Sequence, residues 1–336
     1  MKGLTWVAGT SVLLTAVAFG QRDPAAALRV PEYAAVRLPP RVTLDAAALV
    51  PRDSTPPRQL AAVAWCTPPG PGKRIAQTAV ATIFVGGNLG LYKYFKDAWW
   101  SGQRAPFHLN YDWNGPFRDQ DKAGHFLGGF MLSDGGRELL KAACMSDTKA
   151  TILAAAYAAA FQLQIEIWDG TQAQYGFSPP DMLFNTLGQT FAVVRHYVPV
   201  LQAVTPAISY SPTHALLNTR AGLIPGDLRP TVDYSGQTYW FAVDVDTLLH
   251  GRAKRLWPRF LRASVGHTIT DWVNPATGAF IHADRRILIS LDLDPLSLPG
   301  HAAWWMTVKQ GLRHYHFPSP ALEFKASGVS VLPWHR

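Results

Sequence analysis

The sequence predicts an α+β protein, mainly an antiparallel four-helix bundle followed by a small β-rich C-terminal module. Three observations carry this expectation. Four apolar segments of helix length lie between residues 73 and 207. The connections between them are short and contain Gly and Pro, as antiparallel neighbouring helices require. Beyond Ser209 the hydrophobic period changes to two, the mark of half-buried strands. The expected organisation is an export signal over 1–20, a Pro/Ala-rich extended linker over 21–72, the bundle over 73–207 and the β-rich module over 208–336.

Composition narrows the class. With 336 residues, 48% hydrophobic and 16% charged, the chain can build a core and is neither disordered, collagenous nor a coiled coil. Two cysteines, Cys66 and Cys144, exclude a disulfide scaffold and a multi-cysteine zinc or iron–sulfur site. They either form one disulfide or remain two buried thiols. The net charge of +8 fits an anionic membrane or a nucleic acid, and twelve tryptophans favour the membrane.

Each element has a local reason. Lys2 precedes a charge-free stretch from Gly3 to Gly20, with small residues Ala18 and Gly20 before Gln21, the order of a secretory signal. An uncleaved anchor helix is the alternative. Export removes nucleic acid as a partner and points to the cell envelope, periplasmic or membrane-associated. No cysteine stands at the cleavage point to take a lipid. Ten of the 26 prolines fall within 21–72, and Pro fixes φ and removes donors, hence the extended linker.

The first helical segment is Ile75–Tyr92, without a charge and flanked by Lys73, Arg74, Lys93 and Lys96. The second runs Asp119–Ala143. The third, Lys149–Trp168, carries alanine runs that allow close backbone approach. The fourth, Pro179–Val198, opens with Ser178 as cap, Pro179 at the first position and Asp181 three residues on. Spans this short, with Asp121, Lys122, His125 and Asp134 in the second, leave membrane-embedded and membrane-apposed bundles both open. Strands are expected where Tyr239, Phe241 and Val243 alternate with Trp240, Ala242 and Asp244, and where Ile287, Ile289 and Leu291 alternate with Leu288, Ser290 and Asp292. Asn274–Gly278 reads as a turn and Pro299–Arg313 as a short helix.

One set of residues could carry chemistry. Asp121 and His125 share a helix face at i, i+4 beside Lys122; Glu166 ends the third helix one turn after Gln162; Asp181, Asn185 and Gln189 form a polar stripe on the fourth. Unpaired polar groups inside an apolar bundle are costly, so these should meet in one cluster of Asp121, Lys122, His125, Glu166, Asp181 and Asn185. A structural network is the plain reading. Two chemical readings stand beside it. His125, Glu166 and Asp181 could hold a divalent metal. Alternatively, Asp121, Lys122, His125 and Glu166 could act as catalytic residues, His125 as base and Lys122 on an oxyanion. No phosphate loop, nucleophile elbow or paired-histidine zinc motif is present. In the tail, Asp244-x-Asp246 and Asp292-x-Asp294 are expected on strand faces, solvated or around Ca²⁺. Arg252, Arg255, Arg259 and Arg262 recur at helical spacing, interrupted by Pro258, either facing an anionic membrane surface or forming an ordinary basic loop.

Asp121-Lys122-x-x-His125, Ile165-Glu166-x-x-Asp169-Gly170, Tyr175-Gly-Phe-Ser178, Asp181 and Asn185-x-x-Gly188 together resemble the DUF2279 family of predicted periplasmic lipoproteins. The tail resembles longer members of that family through Asp233–Trp240, Ser264–Gly266, Ser290–Asp294 and Pro318–Glu323. More remotely, the helical part is similar to VanZ-like membrane proteins, although Asp169 stands where a Gln is expected there. The resemblance implies an envelope location and a shared polar cluster, and it supplies no reaction. The sequence thus leads to an exported, membrane-associated envelope protein with a non-enzymatic binding or structural role, a membrane or lipid surface as partner and an envelope protein as a further one. A metal-dependent or acid/base hydrolase or transferase acting on an envelope phospho- or glycolipid is the alternative.

Overall fold

The computed structural model describes residues 71–113 and 115–335. The export signal, nearly all of the extended linker and Cys66 lie outside the described residues. Four long helices come first, α1 (Pro71–Ala98), α2 (Gln120–Ala142), α3 (Asp147–Asp169) and α4 (Pro179–Tyr197). They are followed by β1 (Val204–Tyr210), α5 (His214–Arg220), β2 (Gln237–Val243), α6 (Val245–Leu248), α7 (Gly251–Leu256), β3 (Leu261–Ile269), β4 (Arg285–Leu293), α8 (Ala303–Leu312), β5 (Ser319–Lys325) and β6 (Gly328–His335). The protein is α+β, helices then an antiparallel sheet.

α2 and α4 lie backbone to backbone because two glycines allow it. A Cβ on Gly188 would stand 2.0 Å from the carbonyl oxygen of Phe126, and one on Gly129 would stand 2.5 Å from that of Asn185. Any side chain there would push the helices apart. α3 packs its Ala150, Ala154 and Ala158 stripe inward, with Ala154 against Gly136 of α2. α1 leans on α3 through Phe84–Tyr157 and Tyr92–Trp168 ring contacts. Both α1 and α3 are long and apolar enough to cross a membrane, with 6% and 39% of the apolar window buried respectively. Ser178 caps α4, its hydroxyl accepting from the backbone N–H of Asp181 at 3.3 Å.

The six strands run in sequence order, each antiparallel to the next. The segment before β5 comes back beside β1, where the Ile208 N–H donates to the His314 carbonyl and the His316 N–H to that of Ile208. The sheet therefore curls on itself, around Ala207, Trp240, Leu288 and Ala321. Helices and sheet join through Leu127, Phe130 and Ala192, packed with Phe191, Ile208 and Tyr239. Gln120 fastens the start of α2 to the sheet, donating to the Gln237 carbonyl at 2.8 Å while its Oε1 meets His267 Nδ1 at 2.8 Å.

Several tail expectations need correction. On β2 and β4 the period of two holds, but the Asp292 face, expected to be solvated, is buried. Trp240, Ala242, Leu288, Ser290 and Asp292 are the buried set, Ile287, Ile289 and Leu291 face outward, and Phe241 meets Phe126 and Phe191 of the helices. Asp244 and Asp246 are not on a strand, since Asp244 begins α6. Three of the four proposed Ca²⁺ carboxylates are committed to arginines. Arg313 pairs with Asp244 and reaches Asp294 at 3.5 Å, and Arg262 pairs with Asp292. The arginine series is split by Pro258, leaving Arg252 and Arg255 on α7 and Arg262 buried in β3.

Candidate functional site: an ionic centre where three helices meet

The antiparallel arrangement puts the start of α2, the end of α3 and the start of α4 at one end of the helical layer. Asp121 and Asp181 sit in the first turns of α2 and α4, where the helix dipole favours negative charge. Glu166 and Asp169 sit in the last turn of α3, where it disfavours it.

Lys122 Nζ lies 2.7 Å from Asp181 Oδ1 and 3.3 Å from Asp121 Oδ2, with its side chain 6% exposed. His125 Nδ1 stands 2.9 Å from Asn185 Oδ1 and 3.5 Å from Glu166 Oε1. Its Nε2 faces Asp121 Oδ1 at 3.6 Å and Asp181 Oδ2 at 3.9 Å. Asn185 Oδ1 also accepts from Gln162 Nε2, so both of its acceptor directions are used, and His125 Nδ1 is the donor. Gln189 closes the row by donating to Gln162 Oε1 at 2.8 Å. Glu166 is sealed at 1% side-chain exposure, its Oε2 accepting from the Ser178 N–H at 3.2 Å, whereas Asp121 and His125 are each 18% exposed.

The protonation states follow from burial set against neighbours. Burial opposes a charge on His125, but Asp121, Asp181 and Glu166 outweigh it and lift its pKa to about 9. Burial likewise opposes Lys122 and is outweighed by Asp121 and Asp181, so its pKa rises. Asp121 is also penalised by burial, yet His125 and Lys122 hold it below the usual carboxylate range. For Glu166 burial wins over the nearby imidazolium, and its pKa climbs to about 8. Asp169 is raised by burial to about 7, although Trp100 Nε1 donates to it at 2.6 Å. Asp181 is raised by burial and by Asp121, with His125 and Lys122 opposing the rise. At neutral pH the centre therefore holds two cations, Lys122 and His125, among its own carboxylates, with Asp121 ionised and Glu166 carrying a proton.

The structure thus brings Asp121, Lys122, His125, Glu166, Asp181 and Asn185 together. The three residues whose ligand atoms lie within 4.8 Å of one another are Asp121, His125 and Asp181. Glu166, expected in the metal set, is outside that trio and faces His125 and Asn185 instead. Three contributors were not in the expected set. Tyr234, just before β2, donates its hydroxyl to Asp121 Oδ1 at 3.1 Å and ties the centre to the sheet. Trp100 and Asp169 form the second. The ring of Tyr239 crosses Gly124, where a Cβ would stand 2.8 Å from its hydroxyl. Only Asp169 had a sequence signal, one turn after Glu166 on the same face.

Every residue of this centre on α2, α3 and α4 falls in one segment. Residues 115–197 match the DUF2279 family model, described as predicted periplasmic lipoprotein. The description agrees with the envelope location read from the sequence. No curated protein and no solved structure matches the chain. Cys144 is in a disulfide, as an oxidising compartment permits.

Proposed function

We propose that the chain is an exported, membrane-associated envelope protein whose role is binding or structural rather than catalytic. In this reading 73–207 is an antiparallel four-helix bundle, 208–336 is a β-rich module, and the ionic centre is the latch that holds the two together. The observation that carries it is that the cations of the centre are engaged by its own carboxylates. Lys122 occupies the position between Asp121 and Asp181, and Glu166, a carboxyl that burial keeps protonated, is sealed from any substrate. A general acid needs to reach the reacting atom. The apolar outward residues of α1, among them Ile75, Val85 and Leu89, support membrane association. Cell fractionation with carbonate extraction tests the location: recovery in the membrane pellet is expected, and recovery in the cytosolic supernatant overturns it.

A second reading rests on the trio Asp121, His125 and Asp181, a divalent-cation site for an envelope phospho- or glycolipid hydrolase or transferase. It requires Lys122 to swing out and His125 to lose a proton that it holds up to about pH 9. Calorimetric titration with Zn²⁺ or Mn²⁺ at pH 7 separates the two. The latch predicts no saturable binding to the native chain, and binding abolished by Asp181→Asn would establish the cation site instead.

A further inference from the structure

The outward face of the sheet carries an apolar row that the ionic centre does not explain. Register places Val265 of β3, Ile289 of β4, Leu322 of β5 and Val331 of β6 side by side across four strands. All are exposed, from 42% for Leu322 to 72% for Val331, and Ile287 and Phe324 form a second row beside them. At ~4.8 Å between strands and ~6.8 Å between same-face residues, these six with exposed Leu291 and Val329 cover roughly 260 Å² of contiguous apolar face.

Behind that face the curled sheet encloses Trp240, Leu288 and Ala321 together with Arg262, Ser264, Ser290, Asp292 and Glu323, all nearly inaccessible. An antiparallel sheet whose far face meets only water carries polar side chains there. Aliphatic rows on the outer face are the pattern of sheets facing hydrocarbon. Charge then selects the occupant. At the end of the strands, where Leu261 pairs with Leu293, the connection from α7 is bound to the sheet by Asp294 N–H to the Phe260 carbonyl and Trp257 Nε1 to the Leu261 carbonyl. It presents Arg252, Arg255 and Arg259 to solvent beside exposed Leu256 and Phe260. Lys254, Arg255, Trp257 and Arg259 line one shallow recess there. Cations at the rim of an apolar face fit anionic headgroups above hydrocarbon.

We infer that the outward face of β3–β6 lies on an anionic lipid leaflet, its aliphatic rows in the hydrocarbon boundary and Arg255 and Arg259 among the headgroup phosphates. The contact is face-on. The outer edge of β6 pairs with no further strand among the described residues, and an open edge is not tolerated deep in hydrocarbon. This inference rests on the membrane association proposed above and names the surface that makes it.

Co-sedimentation of the full exported chain with phosphatidylcholine vesicles, with and without 30 mole per cent phosphatidylglycerol, tests it, using roughly physiological salt. The native chain is expected to bind, more tightly with the anionic lipid. The double variant Ile289→Glu/Leu322→Glu should lose at least tenfold in binding with an unchanged circular dichroism spectrum. Arg255→Glu/Arg259→Glu should lose the preference for anionic lipid, by about fivefold for each charge removed. Val329→Glu/Val331→Glu on β6 supplies a second pair, should the first disturb folding. Native binding that survives every sheet variant but fails in Val85→Glu/Leu89→Glu overturns the sheet assignment and leaves membrane association through α1 standing. Absence of native binding to any vesicle removes both. A concentration-dependent dimer in sedimentation velocity that the sheet variants abolish would make the occupant a second copy and overturn the lipid assignment.

Discussion

Inside the helices, Lys122 and His125 share their surroundings with four carboxylates, Asp121, Glu166, Asp169 and Asp181. Inside the sheet, Arg262 meets one, Asp292, and both side chains are 0% exposed. The difference is one of stoichiometry. Arg262 is matched to one acid, which also takes the Phe317 N–H at 3.1 Å, although burial raises Asp292 against the pull of Arg262. Four acids around two cations cannot all ionise in a low dielectric, so the surplus is held as protons on Glu166 and Asp169. The sheet pair is then a fixed structural contact, and the helical centre is a network whose balance moves with pH.

Removing one partner tests each side. Arg262→Met should have the largest effect, because it leaves Asp292 buried and alone, at about 3–5 kcal/mol of unfolding free energy in urea titration. A loss below about 1 kcal/mol would mean that the pair is not buried as described. Lys122→Met should cost about 3 kcal/mol at pH 7. Its loss should shrink on acidification, since Asp181 can take up a proton in place of its counter-ion. A loss that stays constant as pH falls from 7 to about 4 would contradict that exchange.

The pH response of the native chain sharpens it further. His125 has a folded pKa raised to about 9, so its stabilisation is complete below the unfolded value near 6.5 and is lost as pH rises through 9. Glu166 is raised to about 8 from 4.5, so the folded state binds the extra proton between those values and stability again falls as pH rises. The two act in the same direction. Thermal unfolding midpoints should therefore decline from about pH 5 to about pH 9. Glu166→Gln, which keeps an uncharged hydrogen-bonding side chain, should flatten the slope below pH 8 and leave the part due to His125. A slope unchanged in Glu166→Gln contradicts a protonated Glu166. The smallest effect expected is that of Tyr234→Phe, which deletes one hydroxyl donor to Asp121 and should cost about 1.5–2 kcal/mol by the same titration.

Much of the helical half was legible. Ser178, Pro179 and Asp181 announced the start of α4, and polar residues spaced at i, i+4 on otherwise apolar helices announced a shared interior. Trp100 and Tyr234 were not legible, because they reach the centre from a connecting segment and from the far side of the sheet junction, which no spacing encodes. In the tail the period of two was readable but its sense was not. Alternation shows that two faces differ; which one meets water depends on what the other encloses. Expecting Asp292 on a solvated face overlooked its arginine partner, which with the bulk of Trp240 claimed the interior. Glu166 stands outside the close group of Asp121, His125 and Asp181 for a geometric reason, since Asp121 lies one turn before His125 on the same helix and faces Nε2, while Glu166 faces Nδ1.

The claim on which the rest depends is the charge state of His125. Nitrogen-resolved NMR titration of the histidine rings, with His125 assigned by its loss in His125→Gln, reads it directly. The account predicts an imidazolium that persists through neutrality and titrates at about pH 9. A neutral ring at pH 7, titrating at or below 6.5, would contradict it.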